Sequence, residues 1–248
     1  MIGIIGGTGL SQLFETGAIS KTSFASRFGM PSDDVSFYAE AGKKVAFMPR
    51  HGHPHTVAPH LINYRANLDC LKQAGVTQII AVNAVGGIHP SLGPAKIAVP
   101  DQIIDYTYGR QHTIYDGHKD ASPGLDHIDM SFPYTALIRE GLIAAAETCG
   151  LQVLKSATYA AMQGPRLETS AEIQRIKQDG GDMVGMTGMP EAALARELGL
   201  DYACIALSVN WAAGLVDDII TMEDINAALS VGMSDVMTIV KKTIERLE

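Results

Sequence analysis

Five short segments carry residue types able to hold an anion or read a heterocycle, and they are spread over most of a chain of 248 residues. The first is Gly6-Gly7-Thr8-Gly9-Leu10. Its glycines let the backbone turn sharply and present N–H groups to an anion, and the Thr8 hydroxyl can join them. A dinucleotide fingerprint is a rival reading, but Gln12 stands where the third glycine of G-x-G-x-x-G belongs. A plain strand-to-helix turn would need the same glycines. The second segment is Pro49-Arg50-His51-Gly52-His53-Pro54-His55. The guanidinium of Arg50 is a planar fork of donors matched to phosphate, and His51 adds another polar group beside it. His51, His53 and His55, with His60 close by, also suit a divalent metal in a hydrolase, or plain structural roles. The third, fourth and fifth segments are Asn83-Ala84-Val85-Gly86-Gly87, Met186-Thr187-Gly188-Met189-Pro190-Glu191 and Leu207-Ser208-Val209-Asn210-Trp211-Ala212-Ala213-Gly214. They bring small residues, a hydroxyl and an amide, but no carboxylate or imidazole at the strand ends themselves, so anion binding is preferred and no metal is expected.

Each segment follows an apolar run, and those runs set the fold. Ile2–Ile5, Val45–Met48, Gln78–Val82, Ile97–Ile104, Val153–Ala161, Met183–Met186 and Tyr202–Val209 read as strands buried on both faces. Between them, Asn63–Ala74, Tyr134–Cys149, a segment capped by Thr169 or Ser170 through Gln178, Pro190 to about Gly199 and Met222–Leu247 read as helices. The polar stretch Tyr108–Met130 shows no periodicity and reads as a long functional loop. The expected architecture is a single-domain αβα sandwich over residues 1–248, with a central mixed, largely parallel sheet. In such sheets ligands gather at the carboxyl ends of the strands, where all five segments fall. A polar amide such as Asn210 at the end of a buried strand is costly unless it meets a partner.

The composition sets limits on the partners. At 46% apolar and 19% charged the chain can build a large core, and a net charge of −8 argues against a nonspecific hold on nucleic acid or an anionic membrane. Cys70, Cys149 and Cys204 are widely spaced and read as small packing residues rather than metal or disulfide pairs. MIGIIGGTGL lacks the basic start of a signal peptide, and no run of apolar residues is long enough to span a bilayer, so a cytoplasmic setting is expected.

Taken in order, these segments resemble the purine nucleoside phosphorylase and methylthioadenosine phosphorylase family, in its trimeric branch. The likeness runs from Ile2 to about Asn210. It also includes Asn63-Tyr64-Arg65-Ala66-Asn67, Tyr115-Asp116-Gly117 and Gly164-Pro165-Arg166. The resemblance implies phosphorolysis of a purine nucleoside with inorganic phosphate as co-substrate and no cofactor. It implies phosphate contacts from Thr8, Arg50, His51, Ala84 and Thr187, with Asn83 beside them. Met186 would lie under the ribose, Asn210 would be the catalytic residue reading the purine, and Trp211 and Ala212 would adjoin the substrate. Glu168, Asn210 and Met222 would set specificity. His127 would reach into a neighbouring subunit's site, which implies a homotrimer or a pair of trimers.

One departure bears on the substrate. Methylthioadenosine phosphorylases carry Asp where this chain has Asn210, and a second Asp where it has Ala212. An amide can aim its NH2 at purine N7 and a 6-oxo oxygen, so a 6-oxopurine is expected as leaving group. The stretch from Leu215 to Met222 offers Val216, Ile219 and Ile220, and no His follows Asn210 to meet a 5′-hydroxyl. The combination resembles the branch that cleaves S-methyl-5′-thioinosine. Cleavage of inosine or guanosine, or of methylthioadenosine, is the alternative, and a metal-dependent hydrolase using His51, His53 and His55 the remote one.

Overall fold

The computed structural model describes residues 1–7, 10, 17–117 and 126–247. Strand β5 (Gln78–Gly87) is the hub of the sheet. Along its whole length it pairs in parallel with β11 (Asp201–Trp211). On its other edge the partner changes. β1 (Ile2–Gly6) runs parallel to it as far as the pair Gly6–Val82, and β10 (Met183–Gly185) takes over antiparallel at Gly86 and Gly87. Residues 83–85 are left between the two partners, and that gap is where the site opens.

Outward from β1 the sheet continues through β4 (Lys43–Pro49), β3 (Val35–Glu40) and β2 (Ser20–Thr22). Beyond β10 lie β9 (Thr158–Ala161) and β7 (Gln102–Asp105), while β6 (Ile97–Ala98) pairs with β11 and with β8 (Val153–Leu154). Helices α2 (Ala136–Thr148) and α5 (Met222–Arg246) pack on each other and on β11. Helices α1 (Tyr64–Gln73) and α4 (Glu191–Glu197) form a second pair, on β4 and β11. Helix α3 (Ser170–Gln178) is closed at its start by a capping box in which Thr169 and Glu172 bond each other's backbone N–H. The layered mixed sheet is the expected αβα architecture.

Several expected strands are corrected. Ile97–Ile104 is two strands, because Pro100 has no N–H to give the ladder. Val153–Ala161 is also two, and Asp101 accounts for the break. Its carboxylate accepts from Ser156 Oγ at 2.7 Å and from the Ala157 N–H at 2.9 Å, holding the turn out of the ladder. The Gly86-Gly87 pair lies inside β5, not after it, and Asn210 and Trp211 lie inside β11. Met183–Met186 ends as a strand at Gly185, and Pro190 is the cap before α4 rather than its first turn. β2 and β3 have no counterpart among the expected strands; β2 is a wholly exposed edge strand with no buried residue to announce it. Within Tyr108–Met130, the described residues 108–117 and 126–130 form neither helix nor strand.

Gly87 shows how tightly the hub is packed. A Cβ there would stand 1.7 Å from the Leu92 carbonyl oxygen and 2.9 Å from Ser208 Oγ. Backbone on one side cannot swing away as a side chain can. Gly87→Ala should therefore lower stability by about 1–3 kcal/mol, the usual cost of overpacking, in urea unfolding. A change within about 0.5 kcal/mol would show that the Leu92 turn yields freely.

Candidate functional site

A cavity of about 400 Å³ lies at the gap in β5, lined by Arg50 and His51, by Ala84, Val85 and Gly86, by Val184 to Thr187, and by Asn210. Glu168, Met222, Ile225, Val57 and Val209 are also among its lining residues. Of the expected site residues, Arg50, His51, Ala84, Met186, Thr187, Asn210, Glu168 and Met222 are thus brought together. Thr8 lies outside the described residues. His127 is exposed and outside this cavity. Trp211 covers Gly93 with its indole, where a Cβ would be 2.9 Å from Cζ2, and lines an adjoining cavity of about 690 Å³ that Val209 and Asn210 also line. Ala212 is 2% exposed, pairs through its N–H with the Gly87 carbonyl, and lines neither cavity.

Arg50 sits just beyond β4, where β1 ends, and has no exposed surface. Its Nε and Nη2 donate to the two carboxylate oxygens of Glu191 at 2.7 and 2.8 Å, and Nη1 donates to the Val82 carbonyl at 3.0 Å. Burial alone would favour the neutral form, but the facing Glu191 carboxylate overrides it and holds the guanidinium firmly charged. Tyr202 Oη donates to Glu191 at 2.8 Å, so the carboxylate is satisfied on both sides.

His51 is nearly buried, and its Nδ1 lies 2.8 Å from the Val57 carbonyl. A carbonyl only accepts, so Nδ1 carries the proton and Nε2 presents a lone pair. Burial pushes the imidazole down to about 4, and the Arg50 charge and the His55 ring add to the effect. His55 stacks on it with ring centroids 4.2 Å apart, a face-to-face arrangement unlike two imidazoles aiming lone pairs at one ion. Among the described residues no three His, Cys, Asp or Glu are grouped to hold a metal.

Thr187 follows β10. Its Oγ1 accepts from Asn83 Nδ2 at 2.8 Å, and Asn83 Oδ1 accepts from the Cys204 thiol at 3.3 Å. Thr187 Oγ1 is an acceptor here, and its own O–H is a donor that faces the Tyr159 hydroxyl. Cys204 is therefore a polar member of this chain as well as a packing residue.

Asn210 is placed by an irregularity. The register of β11 against β5 shifts between Ser208 and Asn210, so Val209 is an extra residue and both Val209 and Asn210 line the cavity. One N–H of Asn210 Nδ2 donates to the Trp211 carbonyl at 2.7 Å, which orients the amide and leaves its other N–H available. Glu168 stands partly buried nearby, its carboxyl pushed up by burial. Arg110, which sequence reasoning passed over inside a polar loop, is 8% exposed behind Met186.

Residues 1–245 match the model of the phosphorylase superfamily. A protein of Pseudomonas syringae pv. tomato named probable S-methyl-5′-thioinosine phosphorylase is 50% identical over 98% of this chain and 96% of its own. A 6-oxopurine nucleoside phosphorylase of Pyrococcus furiosus is 37% identical over 98% of this chain and 91% of its own. A methylthioadenosine phosphorylase of Schistosoma mansoni, solved with adenine, superposes with a TM-score of 0.93 at 30% identity, covering 98% of this chain and 90% of its own.

His51 gives a direct prediction. A histidine whose folded value falls from 6.5 to about 4 keeps its neutral form across neutral pH. Its contribution to stability is present above 6.5 and is lost as the pH falls toward 4. Nitrogen-15 NMR of the ligand-free protein should show a neutral Nδ1–H tautomer with a midpoint near 4. A midpoint near 6.5, or an Nε2–H tautomer, would contradict the assignment.

Proposed function

Because the chain belongs to the phosphorylase superfamily, we propose that it cleaves S-methyl-5′-thioinosine with phosphate, giving hypoxanthine and 5-methylthioribose 1-phosphate. The wider activity, phosphorolysis of purine nucleosides, is the one for which its near-full-length relatives are named. The observation that carries the finer reading is a single cavity lined by an amide, a carboxyl and apolar Val57, Met222 and Ile225 together with Arg50, His51 and Thr187.

The base explains the first two. A 6-oxopurine offers acceptors at N7 and O6 and a donor at N1. The one Asn210 N–H that the Trp211 carbonyl leaves free is shared between N7 and O6, and the Glu168 carboxylate answers the N1–H. A 6-aminopurine reverses both N1 and the exocyclic group. Each contact left facing its like costs about 1–3 kcal/mol. The apolar Val57, Met222 and Ile225 suit a methylthio group, which neither donates nor accepts strongly.

Catalysis on this reading is positioning and electrostatics. Phosphate is held by Thr187, by the Arg50 N–H groups that Glu191 leaves free, and by backbone at Ala84. The neutral His51 accepts the remaining phosphate O–H. As the C1′–N9 bond lengthens, its electron pair moves into the purine, where Asn210 donates to N7. A phosphate oxygen then bonds C1′ from the opposite face. The hydrogen of hydrogen phosphate passes through solvent to the base, so both products leave balanced. Met186 lies against the ribose. A cytoplasmic homotrimer completes the proposal, with His127 and the 73%-exposed Phe132 facing a neighbour's cavity.

Methylthioinosine, inosine and methylthioadenosine, each incubated with and without phosphate, test the reading by product analysis. Methylthioinosine should be consumed fastest, and only with phosphate. Release of hypoxanthine without phosphate would mean a hydrolase. Asn210→Asp should shift kcat/KM toward the 6-amino nucleoside by roughly tenfold or more. The ionised Glu168 is the form that accepts N1–H, and burial raises its pKa. The KM for the 6-oxo nucleoside should thus rise as pH falls through that value, and the rise should vanish in Glu168→Gln. An unchanged ratio in Asn210→Asp would remove the amide from base recognition.

A further inference from the structure

Arg110 stands in the polar segment beyond β7, yet its guanidinium is sunk behind the cavity wall. Nη1 donates to the Met186 carbonyl at 2.8 Å, the Met189 carbonyl at 2.6 Å and Tyr64 Oη at 3.2 Å. Nη2 donates to the carbonyls of Met162 at 3.2 Å and Gln163 at 2.7 Å, and Nε donates to Gln163 Oε1 at 3.1 Å. All six acceptors are neutral, so this buried cation is solvated by dipoles rather than paired with a carboxylate. Arg50, by contrast, spends its charge on Glu191.

The acceptors belong to two segments with different duties. Met186 to Met189 leaves β10, bears Met186 and Thr187 on the cavity wall, and leads into Glu191. Met162-Gln163 leaves the neighbouring parallel strand β9, whose last residue Ala161 pairs with Gly185, and leads to Glu168. Past the bond from the Met162 N–H to the Gly185 carbonyl at 2.8 Å, the ladder between the two segments ends and their backbones part. One planar guanidinium, with donors on three sides, bridges the parting. Tyr64, held in turn by its own O–H to the Pro59 carbonyl at 2.9 Å, fixes the cluster to α1.

We propose that Arg110 is a positioning residue that sets the spacing between the wall holding phosphate and ribose and the wall reading the base. Binding at one wall then prepares the other. The proposal rests on the functional reading above. It differs from a purely structural role in what it does to ligands: a residue that only supports the fold changes how much protein is folded, whereas this one changes how strongly two ligands help each other.

The test is calorimetry of hypoxanthine binding without phosphate and at saturating phosphate, on wild type and on Arg110→Lys. Lysine keeps the charge and loses the fork. In wild type, phosphate should tighten hypoxanthine binding at least about fivefold, an ordinary coupling between sites. In folded Arg110→Lys the ratio should fall toward one, while phosphate alone binds within about threefold of wild type, as expected when only the coupling is removed. Gln163→Met removes one acceptor and leaves Arg110 in place; it should lose part of the ratio, and it carries the test if the lysine variant does not fold. A full wild-type ratio in either folded variant, or no coupling in wild type, would overturn the proposal. Failure of wild type to bind phosphate and hypoxanthine at all would instead sink the functional reading.

Discussion

The Arg50–Glu191 pair is the fixed point around which the cavity is assembled. It joins the end of β4, the middle of β5 through the Val82 carbonyl, the first turn of α4, and β11 through the Tyr202 hydroxyl. Taking two charges out of water costs several kcal/mol for each ion, and only close, fully hydrogen-bonded geometry offsets it. That requirement fixes where Arg50 can stand. It also limits what Arg50 can do, since three of its five N–H groups are engaged and its charge is balanced. With His51 neutral, the anion end of the cavity is richer in oriented dipoles than in net charge. On the proposed reading, such a site would hold phosphate by the direction of its donors and acceptors and would release a phosphorylated product without breaking a strong ion pair.

The sheet supplies the space. β5 is longer than either partner on its β1 side, and the change of partner leaves residues 83–85 free of the ladder there. The extra residue Val209 in β11 turns Asn210 into the same opening. Neither feature is a loop: Ala84, Val85, Val209 and Asn210 line the cavity from within strands.

Much of this was legible in the sequence. Breaks after apolar runs marked the ends of β1 and β4 but not of β5 or β11, and the polar residues picked out near them, Arg50, Thr187 and Asn210, do line one cavity. The fold class followed from the alternation of buried runs with capped helices, as Thr169 before α3 illustrates. What stayed hidden depended on contacts across many residues. Nothing in the local pattern tells a buried Arg110 from a solvated loop arginine, because its burial is conferred by carbonyls that lie 52 to 79 positions away. The bulge at Val209 and the gap in β5 are likewise properties of pairing, not of either strand alone. Where the Trp211 indole lies was equally hidden: Trp211 follows Asn210 in sequence and lines the second cavity with it, but its ring packs on Gly93, which stands 118 positions away.

A double-mutant cycle on the ion pair bears most directly on this account. Stability by urea unfolding and the KM for phosphate would be measured for Glu191→Gln, Arg50→Met and the two combined. Glu191→Gln should cost about 3–5 kcal/mol, because it leaves a buried guanidinium without its counter-charge. The combined variant should recover much of that stability, since the amide that replaces the Glu191 carboxylate still accepts from Tyr202, but it should not recover the affinity for phosphate. Near wild-type stability and an unchanged phosphate KM in Glu191→Gln would contradict the claim that this pair positions the site.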